Sequence, residues 1–165
     1  MNRRLTGILV SVLLSLPTQA AERITDEQIQ QVIDATDVAS MNRDAVGIGE
    51  HLSDSFKRIL KFRYKKWMAK VTVRKDKYLA LIDEGWASSG NYYYQRDDTE
   101  IHIMPDGLSG LSHSTITENT VQDGVEMTSK FREYATYELE NGRLVITLVS
   151  GHTLLGDTTP QWQEP

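Results

Sequence analysis

The 165-residue chain contains no cysteine. This absence excludes disulfides, Cys-ligated zinc, a thiol nucleophile and lipid attachment through a cysteine. The sequence also lacks a glycine-rich phosphate loop after a predicted strand and a GxSxG nucleophile motif. A folded domain must therefore depend on its apolar core, and a hydrophobic content of 39% is sufficient to build one.

Basic residues are scarce outside one segment. The chain carries 18 Lys and Arg against 23 Asp and Glu, a balance that argues against a nucleic-acid partner. Ten of the basic residues fall within FKRILKFRYKKWMAKVTVRKDK, residues 56–77. This segment is either a solvated pair of strands or a docking surface for an anionic partner, such as a membrane surface or an acidic protein. The second interpretation assigns a basic surface to Lys57, Arg58, Lys61, Arg63, Lys65, Lys66 and Lys70.

The amino terminus has the layout of a secretory signal peptide. MNRRLTGILVSVLLSLPTQA, residues 1–20, combines two arginines, an apolar run too short for a good membrane-spanning helix, and small residues at the end. We expect cleavage after Ala20 or Ala21 and a periplasmic location, the alternative being a retained membrane anchor. The sequence then predicts a mature domain over 21–156 and a polar tail over 157–165, which contains Trp162.

Three helices are predicted in the first half of the chain. Thr25 and Gln28 have the spacing of a capping box before an apolar stripe of helical period. Asp44 is expected to cap a short second helix, and Asp76 a third helix over DKYLALIDEGWASS. The basic segment between the second and third helices alternates loosely, which predicts two short strands.

The second half predicts a sheet, because the apolar period changes from 3.6 to 2. Turn signals at Pro105-Asp106-Gly107, Asp123-Gly124 and Asn141-Gly142 divide it into runs of about 91–104, 108–121, 125–140 and 143–154. Four long runs joined by hairpins make an antiparallel meander that must curl. The expected fold class is α+β, with the curled meander wrapped round the N-terminal helices as a cone.

This order of elements resembles the nuclear transport factor 2-like superfamily, in its SnoaL-like, ketosteroid-isomerase-like branch. The resemblance is carried by the stretches MNRDAVGIGEHLSDSF, DKYLALIDEGWA, TEIHIMPDGLSG and YELENGRLVITLVSGHTLL. It implies a cone with an internal pocket and a homodimer formed through the sheet. The family uses the pocket for catalysis, for ligand binding or for nothing known, so the resemblance implies a fold more than a function.

Steroid-isomerase chemistry is excluded by two departures. It requires a carboxylate base on the strand after the second helix and a tyrosine on the first helix. The sequence offers Ile59 and Leu60 at the base positions, and residues 25–41 contain no tyrosine.

Candidate pocket residues follow from strand alternation. Glu133 and His152 lie in apolar sets on the third and fourth runs, which makes them a candidate acid–base pair. The alternatives are that the strand end opens to solvent, that Glu133 pairs with a lysine or arginine of the basic segment, and that His152 is structural. Tyr93 is expected to face the core if alternation from Ile101 is unbroken, whereas a bulge near 96–98 would reverse this. The predicted pocket residues are Trp86, Tyr93, Ser129, Phe131, Leu148 and Ser150.

Three hypotheses for function result. The first is a non-catalytic protein that binds a small apolar or amphipathic molecule in the cone. The second is a hydrolase, dehydratase or isomerase that uses Glu133 and His152. The third is an envelope interaction or assembly protein that acts through residues 57–77. No cofactor is predicted, and no metal, because no histidines have i, i+2 or i, i+4 spacing and a site would have to be assembled across strands.

Overall fold

The structure, a computed structural model, describes residues 23–64, 67–122 and 124–153. The predicted signal peptide, Lys65, Lys66 and the tail with Trp162 lie outside the described residues. Of the helices in this described part, none has both the length and the apolar character needed to cross a membrane.

The first two helices begin at the predicted caps. In α1 (Asp26–Met41) the Gln28 N–H donates to Thr25 Oγ1 at 3.2 Å, and the Thr25 N–H donates to Gln28 Oε1 at 2.9 Å. In α2 (Ala45–Glu50) the N–H of Gly47 donates to the carboxylate of Asp44. The capping box is therefore confirmed, and it satisfies backbone donors that the helix itself leaves unpaired.

The third helix begins earlier than predicted. In α3 (Lys75–Ser88) Arg74 is the N-cap and makes no side-chain capping bond, so the assignment of Asp76 as the cap is wrong. Asp76 lies in the first turn, where a carboxylate interacts favourably with the helix dipole.

Six strands form one curled, unclosed sheet. They are β1 (Leu52–Tyr64), β2 (Trp67–Arg74), β3 (Tyr92–Ile103), β4 (Ser109–Gln122), β5 (Val125–Glu140) and β6 (Arg143–Thr153). Their order is β2-β1-β6-β5-β4-β3, and every neighbouring pair is antiparallel except β1 and β6, which are parallel. The predicted meander is confirmed, and the basic segment forms a hairpin, β1–β2, whose strands are longer than expected.

Two bulges decide which side chains face inward. In β3, Asp97 pairs with Thr115 but Glu100 pairs with His113, so one extra residue is accommodated near Asp98, whose φ is 53°. In β6 the pairing with β5 shifts by one residue at Thr147. Each bulge reverses the alternation on one side of it.

The core lies between the inner face of the sheet and the three helices. Its fully buried side chains include Ile29 and Ile33 of α1, Phe56 of β1 and Tyr137 of β5. Tyr137 is satisfied in this apolar setting because its hydroxyl shares a 3.0 Å hydrogen bond with Ser112. Beyond this packed region the inner face and the helices enclose a cavity.

Candidate ligand-binding site

The cavity has a volume of about 250 Å³ and a wall rich in aromatic rings. The rings that line it are those of Phe56, Tyr78, Trp86, Tyr92, Tyr94, Phe131 and Tyr137. Charged side chains also reach it: Arg58, Arg96, Glu118 and Glu133. Such a combination of apolar wall and few polar groups is typical of a small-molecule pocket.

The bulge in β3 places the three consecutive tyrosines. Tyr92 and Tyr94 line the cavity, whereas Tyr93 is 48% exposed on the outer face. The prediction of Tyr93 as a pocket residue is wrong, and its alternative is confirmed: a bulge at Asp98 reverses the alternation counted from Ile101.

Glu133 is held between two arginines. Arg58 Nη1 donates to Glu133 Oε2 at 2.7 Å, and Arg96 Nη2 donates to Glu133 Oε1 at 3.2 Å. Burial alone would raise the pKa of Glu133, but the two guanidinium groups outweigh it and lower the pKa below its usual value. Glu133 is thus a paired carboxylate, the alternative that its sequence position left open, and a poor proton donor.

A second acid, Asp37 of α1, ties the helix to the same network. Arg96 Nε donates to both Asp37 oxygens, at 2.9 and 3.0 Å, and the Tyr94 hydroxyl donates to Asp37 Oδ1 at 2.9 Å. Burial raises the pKa of Asp37, and the attraction of Arg96 only partly offsets this. The network fixes Arg96 and Tyr94 in place, so this part of the wall is pre-organised.

Glu118 differs from the other acids because no arginine contacts it within the described structure. The Tyr92 hydroxyl donates to Glu118 Oε1 at 3.2 Å. Burial raises the pKa of Glu118 above its usual value, which favours the neutral, hydrogen-bond-donating form. Glu118 is not among the predicted pocket residues, although Glu118 lies two residues after the buried Ile116 and therefore on the same, inner face.

Arg58 lies inside the pocket, 7% exposed, and not on the predicted basic surface. Alternation along β1 sends it inward while its neighbour Lys57 faces out. Its guanidinium lies 5.9 Å from the ring centres of Tyr78 and Phe131. Arg58 Nε is buried without a hydrogen-bond partner among the described residues. A buried donor without a partner is costly. Other atoms of Arg58 line the cavity, so its guanidinium is the charged group that a ligand acceptor would meet there.

The proposed acid–base pair is not assembled. Gly151 pairs with Glu133, and His152 pairs with Arg132, so His152 occupies the position of the opposite face of the sheet. The hypothesis of Glu133 and His152 as joint catalysts is therefore wrong.

The bulge at Thr147 explains two further corrections on β6. Leu148 pairs with Thr136 and Ser150 with Tyr134, both on the outer side, so neither lines the cavity. Val149 lines it instead. Of the remaining predicted pocket residues, Trp86 and Phe131 line the cavity. Ser129 is the register partner of the cavity residue Glu118 but does not itself line the cavity.

The other described residues of the predicted basic surface lie on β1 and β2. Lys57 pairs with Arg74, and Lys61 pairs with Lys70, which places four basic residues on the outer face. Lys57, Lys70 and Arg74 are exposed. Arg63 belongs to β1.

Comparison with known proteins identifies the fold. No protein-family model and no curated protein matches the sequence. Solved structures do match. An NTF2-like protein from Cytophaga hutchinsonii is 17% identical, covers 79% of this chain and 100% of its own, and has a TM-score of 0.63. An NTF2-like protein of unknown function from Pseudomonas putida is 17% identical, with 76% and 84% covered and a TM-score of 0.60. A hexachlorocyclohexane dehydrochlorinase is 8% identical, with 78% and 84% covered and a TM-score of 0.62.

These likenesses define an α+β protein built as a cone of helices in a curled sheet. The chain has the nuclear transport factor 2-like fold, as the sequence resemblance predicts. Because the fold serves an enzyme and a protein of unknown function alike, the function must be argued from the pocket.

Proposed function

We propose that the protein binds a small amphipathic molecule in the cavity, without acid–base catalysis by Glu133 and His152. The observation that carries this proposal is the Arg58 guanidinium, which lines a cavity walled by aromatic rings. The ligand's acceptor oxygen would accept from this guanidinium, and its apolar body would contact Tyr78 and Phe131.

The size of the cavity limits the ligand. Drug-sized ligands occupy pockets of roughly 300–1,000 Å³, and a cavity of about 250 Å³ lies just below that range. A single substituted ring, such as a small aromatic acid or ketone, is the expected class.

A binding role is favoured over catalysis by the state of the pocket acids. Glu133 is held ionised by Arg58 and Arg96, so it acts as a fixed hydrogen-bond acceptor and not as a proton donor. No histidine lies among the described residues that line the cavity.

The test is a thermal-shift and calorimetry screen with benzoate-type acids, the corresponding aromatic ketones and matched alkylbenzenes. A ligand that binds only the native state raises its melting temperature. Binders should carry a carboxylate or carbonyl oxygen, and the alkylbenzenes should bind more weakly, by roughly tenfold or more, because they offer no acceptor to the Arg58 guanidinium.

Arg58→Lys provides the matched variant. A lysine keeps a positive charge beside Glu133 but lacks the planar set of guanidinium N–H donors, so ligand binding should weaken while the fold is retained. Arg132→Lys, on the exposed side of β5, is the control and should bind normally. A screen without any oxygen-bearing binder, or an unchanged affinity in Arg58→Lys, would refute the proposal.

A second candidate function is contact with an anionic surface, favoured by the pairing of Lys57 with Arg74 on the outer face of the hairpin. Glutamate at Lys57, Lys70 and Arg74 should abolish binding to anionic vesicles, and wild-type binding should weaken as salt rises. Lys130→Glu, exposed on β5, is the control. Salt-independent vesicle binding would contradict this function.

Location and assembly are proposed from the sequence. We infer that residues 1–20 direct export to the periplasm and are removed after Ala20 or Ala21, which N-terminal sequencing of the exported protein tests. We also infer a homodimer through the outer face of the sheet, where Leu111 and Tyr134 are 38% and 42% exposed. Light scattering that gives the monomer mass at micromolar concentration would contradict the homodimer.

A further inference from the structure

The outer face of the sheet brings together three potential metal ligands from two strands. Glu100 and His102 are two residues apart on β3 and therefore share a face. His113 of β4 is the register partner of Glu100. The unbroken antiparallel register of β3 with β4 from Ile103 to Glu100 therefore brings the two histidines together on this face.

The carboxylate of Glu100 lies between the two imidazoles. Glu100 Oε2 is 3.8 Å from His102 Nε2, and Glu100 Oε1 is 3.7 Å from His113 Nε2. One ligand atom from each residue lies within 4.8 Å of the others. The two imidazole rings are nearly parallel, at 21°, with centres 6.4 Å apart.

The distances between the Glu100 carboxylate and the two imidazoles suit a metal ion between them better than direct hydrogen bonds. Hydrogen bonds between nitrogen and oxygen measure about 2.7–3.2 Å, so at 3.7 and 3.8 Å neither imidazole is hydrogen-bonded to the carboxylate. Two ligands that each lie about 2.0–2.2 Å from one tetrahedral ion are roughly 3.3–3.6 Å apart. The carboxylate–imidazole pairs, which involve different Glu100 oxygens, need to close by only a few tenths of an ångström. Ligand atoms separated by as much as 4.8 Å must close by about 1.2–1.5 Å, through rotation of the exposed side chains.

We propose that Glu100, His102 and His113 bind a transition-metal ion of the zinc type. Two imidazoles and one carboxylate form a ligand set that zinc, nickel and copper favour, whereas magnesium and calcium prefer oxygen ligands alone. The Glu100 and His102 side chains are both 63% exposed, and that of His113 is 31% exposed, so in the single chain an ion reaches the site without opening the fold. In the homodimer inferred above, the site would lie beside the interface, because His113 packs against Tyr134. A water molecule would complete the coordination.

This site is independent of the cavity. Its residues lie on the outer face, whereas Arg96 and Tyr94 of the same strand point into the pocket. Ligand binding in the pocket and metal binding on the sheet can therefore be removed separately by substitution.

Calorimetric titration of the tag-free protein with zinc chloride tests the proposal. Wild type should bind one ion per chain with micromolar or tighter affinity, and magnesium chloride should give no binding. His102→Ala and His113→Ala should each weaken zinc binding by at least about tenfold, since even the loss of a partner behind a metal ligand commonly costs 10–100-fold. Glu100→Gln should also weaken it, because an amide lacks the carboxylate charge.

His51→Ala is the matched control, because His51 caps α2 and lies outside the cluster. It should bind zinc like wild type. Circular dichroism shows whether each variant keeps its fold, which the high exposure of the three side chains favours. Two results would overturn the proposal: no zinc binding by wild type, or equal binding by the His102→Ala/His113→Ala double variant.

Discussion

At the scale of single residues, Glu133 is the largely buried acid that joins two largely buried arginines. Its side chain is 14% exposed and contacts Arg58 and Arg96, whose side chains are 8% and 10% exposed. Two guanidinium groups brought this close repel each other unless an acid lies between them. Removing one partner from such a buried network leaves an uncompensated charge in a poorly solvated environment.

Glu133→Gln should therefore lower the free energy of unfolding by about 3–5 kcal/mol. Urea denaturation at neutral pH measures the change. Glu126→Gln on the same strand is exposed and should change stability by less than about 0.5 kcal/mol. Equal losses in the two variants would show that the Arg58–Glu133–Arg96 contacts do not stabilise the fold.

At the scale of elements, the bulge of β3 depends on one backbone conformation. Asp98 has a φ of 53°, in the left-handed region that side chains with a Cβ adopt at a cost and glycine adopts freely. Aspartate is among the residues that tolerate it best.

Asp98→Gly should consequently be more stable than Asp98→Ala by about 1 kcal/mol. At Glu126, in a regular part of β5, the order should reverse, with glycine less stable than alanine by roughly 0.5–1 kcal/mol. Thermal denaturation of the four variants compares the two sites. The same order at both sites would contradict the strained conformation at Asp98.

The elements themselves were predictable, because their signals are local. The capping box of Thr25 and the dipeptides Asp123-Gly124 and Asn141-Gly142 indicate where a helix or a hairpin begins. A bulge adds one residue with no such signal, so counting by two from Ile101 misplaced Tyr93. The same error moved Leu148 and Ser150 to the wrong face of β6, beyond the unmarked extra residue at Thr147.

The charges of the pocket were harder to predict than its wall. Trp86 and Phe131 follow from apolar periodicity. Arg58 lies in the segment 56–77, which contains ten basic residues, and its sequence position is therefore typical of a surface cation. Its partner Glu133 lies on another strand, and a single sequence does not specify which basic residue meets that acid.

At the scale of the whole molecule, the buried acids make stability depend on pH in opposite directions. Glu133 has a lowered pKa, so its contribution is present above the unfolded value of 4.5 and is lost as pH falls through its folded pKa. Glu118 has a raised pKa, so its contribution is complete below 4.5 and is lost as pH rises through its folded pKa.

Glu118→Gln removes the second effect, because glutamine carries no charge at any pH. The free energy of unfolding of this variant, relative to wild type, should increase as pH rises from about 5 to about 8. Urea denaturation at several pH values gives this difference. A difference that stays constant or shrinks with rising pH would contradict a raised pKa for Glu118.

The single parallel pairing, β1 with β6, has a consequence for the order of folding. The hairpins of the meander join strands that are neighbours in the sequence, whereas β1 must find a strand at the far end of the described chain. Contacts between distant segments form more slowly than local ones. Residues of both β1 and β6 line the cavity, so a chain still emerging from the ribosome cannot complete it until β6 has been synthesised.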